Sequence, residues 1–89
     1  MENTSRLGVN VDLENQVLEL LQKNPKIDFT IVEIVAKVHG FKLSENFHIE
    51  HYSEIWSVMG TLDSLFKKGK VDMRLSSPRY AILYHIKKA

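Results

Sequence analysis

Cysteine is absent from the 89-residue sequence. The chain therefore has no disulfide framework and no thiolate chemistry, and its four histidines are the only soft metal ligands. His48 and His51 stand three residues apart and His39 lies upstream, but no set of histidine and acidic residues has the spacing of a known metal site. We expect no metal site and no cofactor.

Long apolar runs are also missing. No segment approaches the roughly 20 residues of a transmembrane helix. The opening segment, MENTSRLGVN, lacks the apolar stretch of a signal peptide. Hydrophobic residues make up 44% and charged residues 26% of the chain, which is typical of a globular protein. We expect a soluble cytoplasmic domain that does not contact a membrane.

Glycine-rich loops and common enzyme signatures are not found. The four glycines are isolated, so none forms a phosphate-binding loop, and no G-x-S-x-G nucleophile motif occurs. A chain of this length also leaves little room for a substrate pocket of roughly several hundred cubic ångströms. We expect the protein not to be an enzyme.

The net charge is only +1, but the charges are unevenly distributed. Residues 1–40 carry four basic and six acidic groups, and residues 41–66 carry one and four. Residues 67–89 carry seven basic groups against Asp72 alone. The seven are Lys67, Lys68, Lys70, Arg74, Arg79, Lys87 and Lys88. Only this last part can present a positive surface, and we expect its basic side chains to converge on one exposed ridge.

Hydrophobic spacing predicts a first helix that begins after Asp12, a good N-cap residue, and ends at about Lys23. Asn24 and Pro25 follow, and both favour termination. The apolar residues recur at intervals of three and four, which places them on one helical face. They are Leu13, Val17, Leu20 and Leu21.

A capping box opens the second predicted helix, after the short extended segment 27–29. The Thr30 hydroxyl would accept a hydrogen bond from the Glu33 amide, and the Glu33 carboxylate would accept one from the Thr30 amide. Gly40 is predicted to end the helix. Its buried face would consist of Ile31, Ile34, Val35 and Val38.

Segment 41–50 is too apolar for a solvated loop. We expect it to pack on the core and to include one helical turn capped by Ser44. The apolar residues expected in the core are Phe41, Leu43, Phe47 and Ile49.

A third helix is predicted over about residues 51–68, and Gly69 would end it. Its buried stripe would consist of Ile55, Val58, Met59, Leu62, Leu65 and Phe66. Two segments with alternating apolar residues follow and flank the turn sequence SSPR, which predicts a β-hairpin. The alternating residues are Val71, Met73, Leu75, Tyr80, Ile82, Tyr84 and Ile86.

The resulting order of helix, short strand, helix, long helix and hairpin resembles the winged helix-turn-helix superfamily. Two stretches carry the resemblance: FTIVEIVAKVHG, residues 29–40, and IWSVMGTLDSLFKKGKVDMRLSSPRYAIL, residues 55–83. The first is similar to the family's strand and second helix, and the second to its recognition helix and wing. The resemblance implies an α+β, mainly helical winged helix, with a three-helix core and a C-terminal hairpin wing.

The domain organisation follows from this resemblance. The winged-helix domain would span residues 11–86. Residues 1–10 would form a flexible or strand-like arm, because Leu7, Val9 and Val11 alternate with polar neighbours and could pair with another element or another copy. Residues 87–89 would be a polar tail.

Double-stranded DNA is the partner that the resemblance implies, with the third helix in the major groove and the wing on the backbone or minor groove. The protein would then be a transcriptional or replication/partition regulator, acting near the nucleoid as a homodimer. The residues expected at DNA are Ser53, Ser57, Thr61, Ser64, Lys67, Lys68, Lys70, Arg74, Ser76, Ser77 and Arg79.

A protein-interaction module without DNA binding is the alternative. Trp56 and Gly60 share one flank of the third helix, and tryptophan is enriched at binding hot spots while glycine permits close approach. These two residues and segment 41–50 would form the interface. A basic partner would face the acidic start of the helix, which carries Glu45, Glu50 and Glu54.

Overall fold

The computed structural model describes residues 11–76 and 81–87. The predictions for the arm at residues 1–10, for Ser77 and Arg79 at the wing tip, and for Lys88 in the tail lie outside the described residues. The elements are α1 (Val11–Lys23), α2 (Ile31–His39), α3 (Phe47–Glu50), α4 (Tyr52–Lys67), β1 (Val71–Ser76) and β2 (Ala81–Ile86). No helix within the described ranges has the length and apolar content needed to cross a membrane.

The winged-helix architecture predicted from the sequence is confirmed. The helices precede a two-stranded antiparallel hairpin, β1–β2, which forms the wing. Their core is made of aliphatic side chains from α1, α2 and α4 together with Phe29 and with Phe47 of α3, and it is closed by Val71 and Tyr84 of the hairpin. Each fully buried side chain of this type contributes about 1.5–3 kcal/mol through removal from water.

The first helix differs from its prediction at its start. Asp12 lies in the first turn of α1, so its assignment as N-cap was wrong; a carboxylate in this turn still interacts favourably with the helix dipole. The end is as predicted: the Asn24 side chain donates to the Leu20 carbonyl at 2.9 Å, which satisfies an acceptor of the last turn.

The capping box of α2 is confirmed in both directions. The Thr30 amide donates to the Glu33 carboxylate at 2.9 Å, and the Glu33 amide donates to the Thr30 hydroxyl at 3.2 Å. Gly40 ends the helix with a φ of 74°, a conformation that favours glycine. These local bonds fix where α2 begins and ends.

A single residue of the extended segment before α2 ties the wing to the core. The Phe29 amide donates to the Tyr84 carbonyl at 2.9 Å, and the Tyr84 amide donates to the Phe29 carbonyl at 2.8 Å. Both side chains are buried. Phe29 therefore acts as a one-residue third strand beside β2 and sets the position of the hairpin.

Segment 41–50 contains the predicted helical turn, α3, but only part of it packs inward. Phe47 is buried, whereas Leu43 is 57% and Ile49 77% exposed, so their predicted core positions were wrong. Ser44 does not cap the turn, because its hydroxyl donates to Glu50 instead, at 3.3 Å. One helical turn has too few positions on a single face to bury all of these side chains.

Candidate nucleic-acid interface

The buried stripe of α4 is rotated relative to its prediction. Met59 and Phe66 are 39% and 43% exposed, while Thr61 is only 2% exposed. The Thr61 hydroxyl donates to the Ser57 carbonyl at 3.0 Å, so the buried polar group is satisfied within the helix. The placement of Thr61 on the solvent face was therefore wrong. The residues that face the core are Ile55, Val58, Thr61, Leu62 and Leu65.

The first part of the outer face of α4 is exposed, and within residues 11–76 and 81–87 only its end, at Ser64 and Lys68, is engaged by another element. Ser53 and Ser57 are exposed, as predicted. Trp56, 66% exposed, lies on the same side of the helix as Gly60 and Lys67. Apart from the neighbouring residues and backbone of α4 itself, no atom lies within 4 Å of the position that a Cβ on Gly60 would occupy, so no other described element packs closely there. This helix face is available to a partner, and the protein-contact role of Trp56 and Gly60 stays a prediction.

Acidic residues, three of them from other elements and Asp63 from α4 itself, accompany most of the described basic side chains near the wing. Within residues 11–76 and 81–87, four of the five C-terminal cations form ion pairs with carboxylates. The pairs are Lys67–Asp63, Lys68–Glu14, Arg74–Asp28 and Lys87–Asp72. Among the described residues, the basic side chains expected to form one exposed positive ridge are therefore largely neutralised, and the ridge as a source of net positive charge is wrong. Counting charges along the chain missed this because Glu14 and Asp28 lie far away in sequence.

Glu14 receives two donors from the end of α4. The Ser64 hydroxyl donates to one oxygen at 2.9 Å, and the Lys68 ammonium donates to the other at 3.0 Å. The hydrogen bond from Lys68 lowers the pKa of Glu14 more than partial burial raises it, and Ser64 adds to the lowering. Two predicted DNA-contacting residues, Ser64 and Lys68, are thus engaged within the protein.

The polar side of the hairpin carries a second charge network. Asp28 pairs with Arg74 and lies 3.2 Å from Nδ1 of His85. Nε2 of His85 lies 3.5 Å from Asp72, which also pairs with Lys87. The hydrogen bond from Arg74 is the main cause of the lowered pKa of Asp28. The network fixes the predicted wing residue Arg74 against the segment before α2.

These cations nevertheless remain accessible to solvent. The side chains of Lys67, Lys68 and Arg74 are 75%, 53% and 56% exposed. Lys70 is exposed and forms no ion pair with another described residue. Because a surface ion pair contributes about 0–1 kcal/mol, a phosphate could replace the carboxylate at modest cost. Ser76 at the end of β1 is half-buried.

Two of the four histidines, His39 and His51, pack against an aromatic residue. The His39 and His51 rings both stack on Phe41, at centroid distances of 5.2 and 3.9 Å. No group of three or more potential ligands that could hold a metal ion occurs in residues 11–76 and 81–87.

The fold is similar to that of a solved protein. The structure of the ferric uptake regulator from Francisella tularensis with iron matches with a TM-score of 0.62 at 15% sequence identity. The match covers 98% of this chain and 60% of that chain. This chain therefore corresponds to little more than half of the regulator. The sequence itself matches no protein-family model and no curated protein.

Proposed function

We propose that the protein is a DNA-binding winged-helix regulator of transcription, or of replication or partition. The observation that carries the proposal is the exposed outer face of α4, which no other described element covers around Ser53 and Ser57. This face presents the hydroxyls of Ser53 and Ser57 and the ammonium of Lys67. The major groove of DNA, about 12 Å wide, admits a helix whose free face carries short polar side chains.

Phosphate contacts would come from the end of α4 and from the wing. Lys67, Lys68, Lys70 and Arg74 would exchange carboxylate or water partners for phosphates, and Arg79 and Ser77 at the wing tip would add to them. Three of these four cations must give up an intramolecular carboxylate, so we expect the affinity for DNA to be modest. Because the contacts are with phosphates, this affinity should fall steeply as the salt concentration rises.

Charge reversal at the outer face tests the proposal. Lys67→Glu should weaken binding of a random-sequence duplex at low salt by about tenfold, measured by fluorescence anisotropy, because it replaces attraction to phosphate with repulsion. Lys23→Glu is the matched control: Lys23 is also an exposed helical lysine in an i,i+4 pair, but it lies on α1. Equal effects of the two variants would contradict a specific role for α4.

A protein-interaction role is the second candidate, and the exposed aromatic residues on α4 favour it. Tyr52 and Trp56 are 63% and 66% exposed, and such side chains anchor many protein interfaces. If this role is the main one, Trp56→Ala should disrupt a complex while the circular dichroism spectrum and DNA binding stay unchanged. Loss of DNA binding in Trp56→Ala would assign this residue to the DNA surface instead.

A further inference from the structure

Within the described part of the chain, the β1 strand has an open edge. Tyr84 uses both its amide and its carbonyl on Phe29, so these groups point away from β1 and its pair with Met73 is not hydrogen-bonded. By the alternation of antiparallel ladders, the amides and carbonyls of Val71, Met73 and Leu75 point away from β2. No backbone partner for them occurs among residues 11–76 and 81–87. The hydrogen-bonded pairs of the hairpin are Asp72–His85, Arg74–Leu83 and Ser76–Ala81.

The side chains on this strand divide by face. Val71, Met73 and Leu75 share the apolar face of the hairpin, and the exposed fraction rises from 1% at Val71 to 37% at Met73 and 60% at Leu75. Asp72 and Arg74 share the opposite face. An edge strand with free backbone groups and exposed apolar side chains is a template for pairing with another strand.

We propose that β1 pairs with β1 of a second copy, antiparallel, around a two-fold axis at Met73. The five residues 71–75 are self-complementary in this arrangement. Met73 meets the partner's Met73, and Val71 meets the partner's Leu75. Asp72 faces the partner's Arg74 in a non-hydrogen-bonded pair, where side chains approach most closely. The two hairpins then form one four-stranded sheet with an isologous interface.

Charge selects this register over its neighbours. Only Val71, Met73 and Leu75 offer outward backbone groups, so these residues must pair with one another in any register. The two nearest alternative registers therefore place the two-fold axis at residue 72 or at residue 74. The first places Asp72 against the partner's Asp72, and the second places Arg74 against the partner's Arg74. Opposite charges across a strand pair stabilise it and like charges destabilise it. The Met73-centred register brings unlike charges together twice in each dimer.

A second copy therefore fits this edge better than an unrelated strand. The inference goes beyond the proposed function: the interface uses the wing strand rather than α4, and its test needs no DNA. A dimer could form whether or not α4 enters a groove. If the protein proves not to bind DNA, dimerisation through β1 can still be measured without DNA. If it proves to be a monomer, DNA binding can still be measured by anisotropy.

Paired charge variants test the interface by sedimentation equilibrium of the full chain without DNA. Asp72→Arg and Arg74→Asp each place like charges opposite one another in a homodimer, and each should weaken self-association by about tenfold or more. An equimolar mixture should regain the association of the native protein, because both cross-strand pairs are then of opposite sign. Circular dichroism of each variant verifies folding, and restoration on mixing cannot arise from unfolded chains.

Met73→Pro is an independent variant. It removes an amide that makes no bond to β2, so the hairpin should survive while the edge is blocked. The proposal is overturned if the native protein is monomeric at every accessible concentration, or if mixing the charge variants restores nothing. It is also overturned if Trp56→Ala abolishes association and Met73→Pro does not, because the interface would then lie on α4.

Discussion

Glu14 and Lys68 join the first helix to the end of the fourth through an ion pair of 3.0 Å, although 54 residues separate them in sequence. The Ser64 hydroxyl donates to the same carboxylate. Glu14 thus binds the polar groups of two residues that the winged-helix resemblance had placed at DNA. The carboxylate competes with any phosphate that approaches this end of α4.

Removing this competitor should strengthen DNA binding. Glu14→Gln keeps an acceptor for Ser64 but releases Lys68, and we expect affinity for a random duplex to rise about two- to fivefold, the equivalent of a surface pair of about 0.4–1 kcal/mol. Fluorescence anisotropy at low salt measures the affinity of each variant for the duplex. Glu19→Gln is the matched control, since Glu19 pairs only with the exposed Lys23 on α1. An unchanged affinity in Glu14→Gln would show that Lys68 does not contact DNA.

The contrast between the capping box and the charge ridge shows what the sequence could predict. Thr30, Glu33 and Gly40 act on neighbouring residues, so their spacing was sufficient to place α2. The ion pairs of Lys68 and Arg74 depend on tertiary packing, which brings together residues 46 or more positions apart. A linear count of charge cannot report such pairs.

The rotation of α4 has a similar origin. The predicted and observed buried faces of α4 share residues 55, 58, 62 and 65. Residues on either side of this stripe could complete the buried face, and hydrophobicity favoured Met59 and Phe66. Thr61 is buried instead, and its burial costs little because its hydroxyl donates to the Ser57 carbonyl. The fold class was predictable from periodicity, whereas the exact outward face of the helix was not.

This corrected face of α4 can be tested with two substitutions. Thr61→Val replaces a buried hydroxyl by a methyl group of similar size, so we expect a stability change within about 1 kcal/mol and unchanged DNA binding. Ser57→Glu places a carboxylate on the outer face and should weaken binding strongly. Chemical denaturation and anisotropy measure the two effects. Equal loss of DNA binding in both variants would mean that Thr61 lies at the DNA after all.

The α2 capping box should be a measurable part of the stability. Thr30→Ala removes the acceptor for the Glu33 amide and should lower the free energy of unfolding by about 1 kcal/mol. Thr30→Ser keeps the hydroxyl and should lose much less. Urea denaturation followed by circular dichroism compares them. Identical midpoints for the native protein and Thr30→Ala would contradict the role of the cap.

Acid should destabilise the fold through Asp28 and Glu14. Hydrogen bonds from Arg74 and Lys68 lower the pKa of these two carboxyls in the folded state. A lowered folded-state pKa gives stability above the unfolded-state pKa, near about 4, and this stability is lost as the pH falls through the folded-state pKa. Thermal melting between neutral and acidic pH should therefore show a decrease that is smaller in Asp28→Asn. If the melting temperature of Asp28→Asn falls as much as that of the native protein, Asp28 does not contribute to the acid sensitivity.

Salt dependence of DNA binding tests the central claim most directly. If Lys67, Lys68, Lys70, Arg74 and Arg79 each contact a phosphate, the logarithm of the association constant should fall against the logarithm of salt concentration with a slope of about −4.5 per chain. Lys67→Glu should make that slope shallower by about one. A flat slope, or no detectable binding at low salt, would contradict DNA recognition by this surface.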